Sequence, residues 1–267
     1  MVSKTERAIA AAHKAGRTAF VGYLPLGFPD AATTVAAAIE LANSGVDIIE
    51  LSPPYSDPVM DGEVIQRATN TALANGFKFE QLFQIVQEIT STVKTPVLIM
   101  SYWNLILQYG VKKFAADLNR AGGAGLITPD ITPECADEWI AAADSEGLDK
   151  IFLAAPSSSA ERLQMIASSS RGFVYAVSTM GITGARDELD SAAKQLVARL
   201  KNAGAKYVCV GIGVSVPAHV SAIAQYADGA VVGTALVREL ADAGVKSLGD
   251  KAAEFASATA ATRITNS

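Results

Sequence analysis

Residues 207–240 read YVCVGIGVSVPAHVSAIAQYADGAVVGTALVREL, and their order decides the fold. An apolar run, Tyr207–Gly211, ends on the pair Gly211 and Gly213, and a helical stretch carrying His219 follows. A second apolar run, Gly229–Gly233, ends on Gly233-Thr234, where the helix Thr234–Ala243 begins. Short apolar runs ended by glycine and alternating with helices are the pattern of parallel strands buried on both faces. The alternation repeats toward the N-terminus. Strands are expected at Ala19–Leu24, Val46–Leu51, Pro96–Ser101, Ala124–Thr128, Ile151–Ala154 and Phe173–Ser178 as well. Eight strands, each followed by a helix, predict an α/β chain closed into one (β/α)8 (TIM) barrel. A single domain over residues 1–267 suits a fold that occupies about 250 residues. The rival, an open doubly wound sheet, calls for Gly-x-Gly-x-x-Gly after its first strand, and the surroundings of Gly22 and Gly27 do not supply it.

Helix punctuation agrees. Asp30 is placed to cap a helix that stops before Gly45, Thr132-Pro133-Glu134 to open one that stops at Gly147, and Leu189–Ala203 stops at Gly204. Extra helices are expected at the N-terminus, after strand two and after strand eight. Ser3-Lys-Thr-Glu6 reads as a capping box opening a polar helix, not a signal peptide. The connection Ser52 to Thr95 is the longest, with helical pieces at Glu63–Asn75 and Phe79–Val93 behind a proline-rich loop. Long loops at barrel strand ends are where function concentrates.

Half of the residues are apolar, 18% are charged, and the net charge is −5. Disorder is excluded, and nucleic acid and anionic membranes are poor partners for an acidic chain without a basic cluster. Mean hydropathy is +0.25, yet no apolar run reaches the roughly 18 residues of a membrane span. Cys135 and Cys209 suit a reducing cytoplasm and are expected to stay unpaired.

Chemistry in a barrel belongs at the carboxyl ends of its strands. Glu50 ends strand two, and if Ile48 points inward, strand alternation turns Glu50 inward too. A buried carboxylate is either paired or raised in pKa. A structural ion pair and a general acid/base both remain open, the second favoured because no Lys or Arg occupies a neighbouring strand end. Asp61 lies in the loop after it, Tyr102 and Asn104 end strand three, and Asp130 ends strand four, where it could equally orient the next helix start. Tyr175 on strand six faces either way. His13 and His219 both lie in helices, so histidine catalysis and a histidine-built metal centre are not expected. Lys150 and Lys206 begin strands on the opposite face, which leaves a Schiff-base mechanism without its amine. What remains is proton transfer by carboxylates. Glycines after strands six (Gly181, Gly184), seven (Gly211, Gly213) and eight (Gly233) point to phosphate, because bare N–H groups and a helix N-terminus can converge on an anion.

The segment ELSPPYSDPVMDG, Glu50–Gly62, resembles the second-strand signature of the tryptophan synthase α-subunit family. The likeness continues through Tyr102-Trp-Asn104, Ile127–Asp130, Ser178-Thr-Met-Gly-Ile-Thr-Gly-Ala185, Gly211-Ile-Gly213 and Gly233-Thr234. It implies retro-aldol cleavage of indole-3-glycerol phosphate to indole and glyceraldehyde 3-phosphate, with neither cofactor nor metal in this chain. On the same ground Glu50 is the proton shuttle, Asp61 accepts the indole N–H and Tyr175 supports the glutamate. Gly184, Gly213, Gly233 and Thr234 hold the phosphate. Tyr23, Ile65, Met100 and Ile212 wall the indole pocket, Tyr102 and Asp130 join it, and Thr183 belongs to the lid. The implied partner is a pyridoxal-phosphate β subunit in an α2β2 tetramer, which receives indole. Loop two, stiffened by Pro53, Pro54 and Pro58, and the glycine-bearing loop six are expected to need that partner to become organised. Ser52, Pro53 and Glu63 depart from the common family pattern, as does the end of strand one, without removing a catalytic group. A phosphosugar isomerase on the same barrel would leave Asp61 and the apolar wall without a role. A purely structural activator would leave Glu50 and Asp61 without one.

Overall fold

In the computed structural model, which describes residues 3–177, 186–211 and 213–260, eight strands close a parallel barrel in sequence order. They are β1 (Ala19–Pro25), β2 (Ile48–Ser52), β3 (Val97–Met100), β4 (Gly125–Thr128), β5 (Asp149–Ala154), β6 (Val174–Val177), β7 (Val208–Gly211) and β8 (Gly229–Val232). β8 pairs with β1 in the register Ala19 to Gly229, which completes the circle. Every strand lies within two residues of its expectation, because each is bounded by a glycine, a proline or a polar cluster.

The two-residue alternation of each strand divides the core in two. Val21, Ile48, Leu98, Ile127, Ile151, Phe173, Cys209 and Val231 fill the barrel. Their chain neighbours, such as Phe20, Ile49, Ile99 and Phe152, pack outward against the helices. In β2 this puts Ile48 inside, Ile49 outside and Glu50 inside again.

The floor is closed by α1 (Lys4–Lys14), whose Ile9 and Ala12 are fully buried in the barrel cluster. Ser3 caps it, accepting from the Glu6 N–H at 2.9 Å while its hydroxyl donates to Asp149 at 2.7 Å. Lys206 pairs with Glu6, and His13 lies 3.7 Å from Asp228. The backbone N–H of Thr18 donates to the Thr259 carbonyl at 3.2 Å. Lys150 pairs with Asp144 on the same face. Both lysines are thus engaged away from the strand ends where chemistry belongs.

Around the barrel run α2 (Ala31–Asn43), capped by Asp30, then α3 (Glu63–Ala74) and α4 (Gln81–Thr92) in the long second connection. The third connection holds two helices where one was expected, α5 (Trp103–Tyr109) and α6 (Val111–Arg120). Gly110 separates them with φ 97° and ψ 117°, a conformation that breaks the helix and suits glycine. The expected helix opening at Thr132-Pro133-Glu134 is instead a 3-10 turn, Pro133–Cys135, followed by α7 (Asp137–Glu146), because Ala136 leaves helical geometry between them. Next come α8 (Ala160–Ser169), α9 (Arg186–Asn202) and α10 (Pro217–Ile223). The last, α11 (Thr234–Ser257), bends at Gly244, one residue beyond the helix end expected from sequence, and a second helical segment carries on.

Candidate active site

At the carboxyl ends of the strands lies a cavity of about 210 Å³ with Glu50 and Asp61 in its wall. Glu50 stands between Tyr23 of β1 and Leu98 of β3 in the sheet register. It is 1% exposed, and its Oε2 atom is buried without a hydrogen-bond partner among the described residues. Among the described residues it has no ion-pair partner, so the structural ion-pair reading does not hold there. Burial, and then the nearby Asp61 charge, lift its pKa from 4.5 to about 8. A carboxyl in that state is protonated at neutral pH, yet close enough to its pKa to give the proton up and take it back.

Asp61 reaches the cavity from loop two, and burial raises its carboxyl pKa as well. Its backbone carbonyl accepts from the Gln66 side chain at 2.8 Å. Tyr175, left facing either way by the sequence, points inward and lines the cavity. Burial, and next the Glu50 charge, push its phenol well above the ordinary range, so it stays neutral. Its hydroxyl sits directly over Gly211, where a Cβ would fall inside van der Waals contact. Gly211 therefore makes room for the tyrosine, and Gly213, with φ 42°, turns the chain past it.

Gly213, Gly233 and Thr234 face one side of the cavity. Gly233 occupies the N-cap of α11 and Thr234 its first position. The N–H groups of a first helical turn have no partner within the helix, so they and the positive dipole end offer an anion site. Gly184, Thr183 and Ile212, expected to hold phosphate, close the lid and wall the pocket, lie outside the described residues.

Tyr23, Ile65 and Met100 form part of the apolar wall, as expected. Sequence reasoning missed Met60, Pro129, Leu153, Val177, Val214 and Val231, which also line it. One of these was within reach of strand periodicity, since Leu153 lies two residues past inward-facing Ile151. Tyr102 and Asp130 were expected in the pocket but do not line it. Asp130 accepts the Trp103 backbone N–H at 2.9 and 3.0 Å, orienting the start of α5 and not the helix that follows Asp130 itself. Tyr102 reaches sideways to loop two, and its hydroxyl accepts the N–H groups of Val59 and Met60, each at 2.9 Å. Loop two is therefore held from within this chain, a fastening its prolines do not disclose.

A buried acid and a second carboxylate lining one apolar-walled cavity, with a glycine-lined helix N-terminus at its edge, form one constellation. The sequence model described as "Tryptophan synthase alpha chain" matches residues 9–264. The chain belongs to the tryptophan synthase alpha chain family. The tryptophan synthase alpha chain of Leifsonia xyli subsp. xyli is 59% identical over 238 residues, covering 89% of this chain and 91% of the relative. That of Bifidobacterium longum is 51% identical, covering 84% and 77%. Among solved structures, tryptophan synthase from Mycobacterium tuberculosis superposes with a TM-score of 0.91 at 46% identity, over 97% of this chain and 99% of that one. Tryptophan synthase subunit alpha from Legionella pneumophila gives 0.88 at 31% identity, over 97% and 99%. The chain is a carbon–carbon lyase of tryptophan biosynthesis that cleaves indole-3-glycerol phosphate to indole and glyceraldehyde 3-phosphate.

Proposed function

We propose that Glu50 carries the proton through this cleavage and that Asp61 holds the indole nitrogen. Protonated Glu50 delivers its proton to the indole C3. The positive charge that develops on the ring is stabilised where the N–H meets the Asp61 carboxylate. Glu50, now a carboxylate, takes the proton of the C3′ hydroxyl as the C3–C3′ bond breaks. Indole and the aldehyde form, and Glu50 is protonated again. Tyr175 keeps the glutamate in place, and the glycine-lined side of the cavity, with Gly184 and the N-terminus of α11, takes the phosphate. The unpartnered, buried Glu50 oxygen with its raised pKa carries this reading. The test is Glu50→Gln, which keeps the shape and removes the transferable proton. General acid–base transfer accounts for about 10²–10⁴-fold in rate. Indole release should fall by that much while glycerol 3-phosphate still binds, and near-normal release would overturn the assignment.

The side chains named here carry the chemistry without a cofactor, which belongs to the partner. That partner is a β subunit docking on the face that bears loop two, giving an α2β2 assembly. Support comes from the large apolar side chains this face exposes, Val59 at 84%, Met60 at 50% and Leu107 of α5 at 51%. Among the described residues no helix is long and apolar enough to cross a membrane, and the cytoplasm is the compartment proposed. Adding β subunit should raise indole release as the complex forms. A complex that leaves the rate flat would show that the loops need no partner.

A further inference from the structure

We propose that Tyr102 is a positioning residue for this reaction: by holding the backbone of loop two it fixes where the Asp61 carboxylate stands. Asp61 arrives on a loop of ten residues, Pro53–Gly62, near whose end the Gln66 side chain donates to the Asp61 carbonyl at 2.8 Å. Immediately before Asp61, Val59 turns its side chain to solvent and Met60, at the cavity wall, stays half-exposed, so apolar burial fastens them weakly. Their backbone N–H groups instead share one acceptor, the Tyr102 hydroxyl, each at 2.9 Å. Both N–H groups lie within two residues of the catalytic carboxylate, so a change in the acceptor is passed on through very few bonds.

The acceptor is itself rigid. Tyr102 is 4% exposed and serves as the N-cap residue of α5, two residues beyond Met100 at the end of β3. On one side Tyr55 of the same loop stacks on its ring at 4.9 Å, with 29° between the planes. The Asn104 amide donates to the Tyr55 hydroxyl at 3.4 Å. On the other side Asp130 holds the Trp103 N–H and with it the start of the helix. A chain of contacts therefore runs from β4 through the start of α5 to loop two and Asp61. Rigid barrel elements fix a catalytic group that the loop alone would leave free. A displacement of about 1 Å at such a group costs on the order of a hundredfold in rate.

The inference rests on the role given to Asp61 above, and the experiment separates the two. Tyr102→Phe keeps the ring and its stack on Tyr55 but removes the shared acceptor. It should lower kcat/KM for indole release by about 10- to 100-fold while leaving glycerol 3-phosphate affinity unchanged, since the phosphate side is not touched. In an Asp61→Asn background the same change should add less than about twofold, because residues acting through one group are not additive. Where the Asp61→Asn enzyme cleaves too slowly to compare, calorimetric affinity for an indolylalkyl phosphate without the cleavable bond gives the same comparison. An equal loss in both backgrounds, or no loss in either, overturns the proposal. If Asp61→Asn alone is harmless, the role of Asp61 falls and this inference falls with it. If Asp61→Asn is costly and Tyr102→Phe is not, only the positioning role falls.

Discussion

Replacing Glu50 with glutamine should change how stability responds to pH as well as activity. Glu50 is 1% exposed and its pKa in the fold is about 8, against 4.5 as its ordinary value. Between those two values the folded chain keeps this proton and the unfolded chain has released it. Stability therefore falls as pH rises through the window, and levels off above about 8. Moving a pKa from 4.5 to about 8, at 1.36 kcal/mol for each pH unit, amounts to about 5 kcal/mol if the carboxylate stays dry, and less if water enters on ionisation. Glutamine does not titrate and escapes this penalty. Urea or guanidinium denaturation of both proteins at pH 5, 6.5, 8 and 9 gives the assay. The variant's advantage over the parent should grow from the lowest to the highest of these values. Because burial is the larger cause and Asp61 the second, the advantage should shrink in an Asp61→Asn background without vanishing. Parallel stability curves for the two proteins would refute the reasoning, since they would mean that Glu50 titrates alike folded and unfolded.

Indole release should decline as pH rises through about 8, where Glu50 loses the proton it must donate, and a pH profile of kcat/KM checks this. Gly211→Ala places a Cβ inside van der Waals contact of the Tyr175 hydroxyl. Overpacking of this kind costs about 1–3 kcal/mol, so the melting temperature and indole release should both drop. Glycerol 3-phosphate at 100 times its dissociation constant should stabilise the protein by about 2.7 kcal/mol. Gly233→Asp should abolish that shift, as read by thermal denaturation, by setting a negative charge at the α11 N-cap.

The barrel was legible because its evidence is local and repeated. Each strand is a short apolar run with a stop signal, and an eightfold repeat survives errors of a residue at any one end. Glu50 was legible for the same reason, since alternation from Ile48 fixes its direction. Tyr175 was not, because a tyrosine suits either face of a strand and only the space above Gly211 decides. The break at Gly110 was hidden because a glycine between two helical patterns reads as readily as one tolerated inside a helix. Tyr102 and Asp130 were placed in the pocket by the resemblance together with their positions at strand ends, whereas their partners lie on other connections. Tyr102 finds its partners 42 and 43 residues away in loop two, and Asp130 finds its partner 27 residues back at the start of α5. Contacts of that kind leave no periodicity to read.

The helix that closes the barrel floor has a consequence for the order in which the chain folds. Its partners are Asp149, Lys206 and Asp228, up to 215 residues further along, and Thr18 just after it reaches Thr259. This helix is made before every strand of the barrel yet is among the last elements to find its place, because β8 and the end of α11 must be made before the floor can be sealed. Until then Ile9 and Ala12 have no finished barrel to enter. Contacts across so much sequence slow folding, and a nascent chain halted short of β8 would present an open barrel end and an unpaired strand edge, the form of this protein most exposed to aggregation.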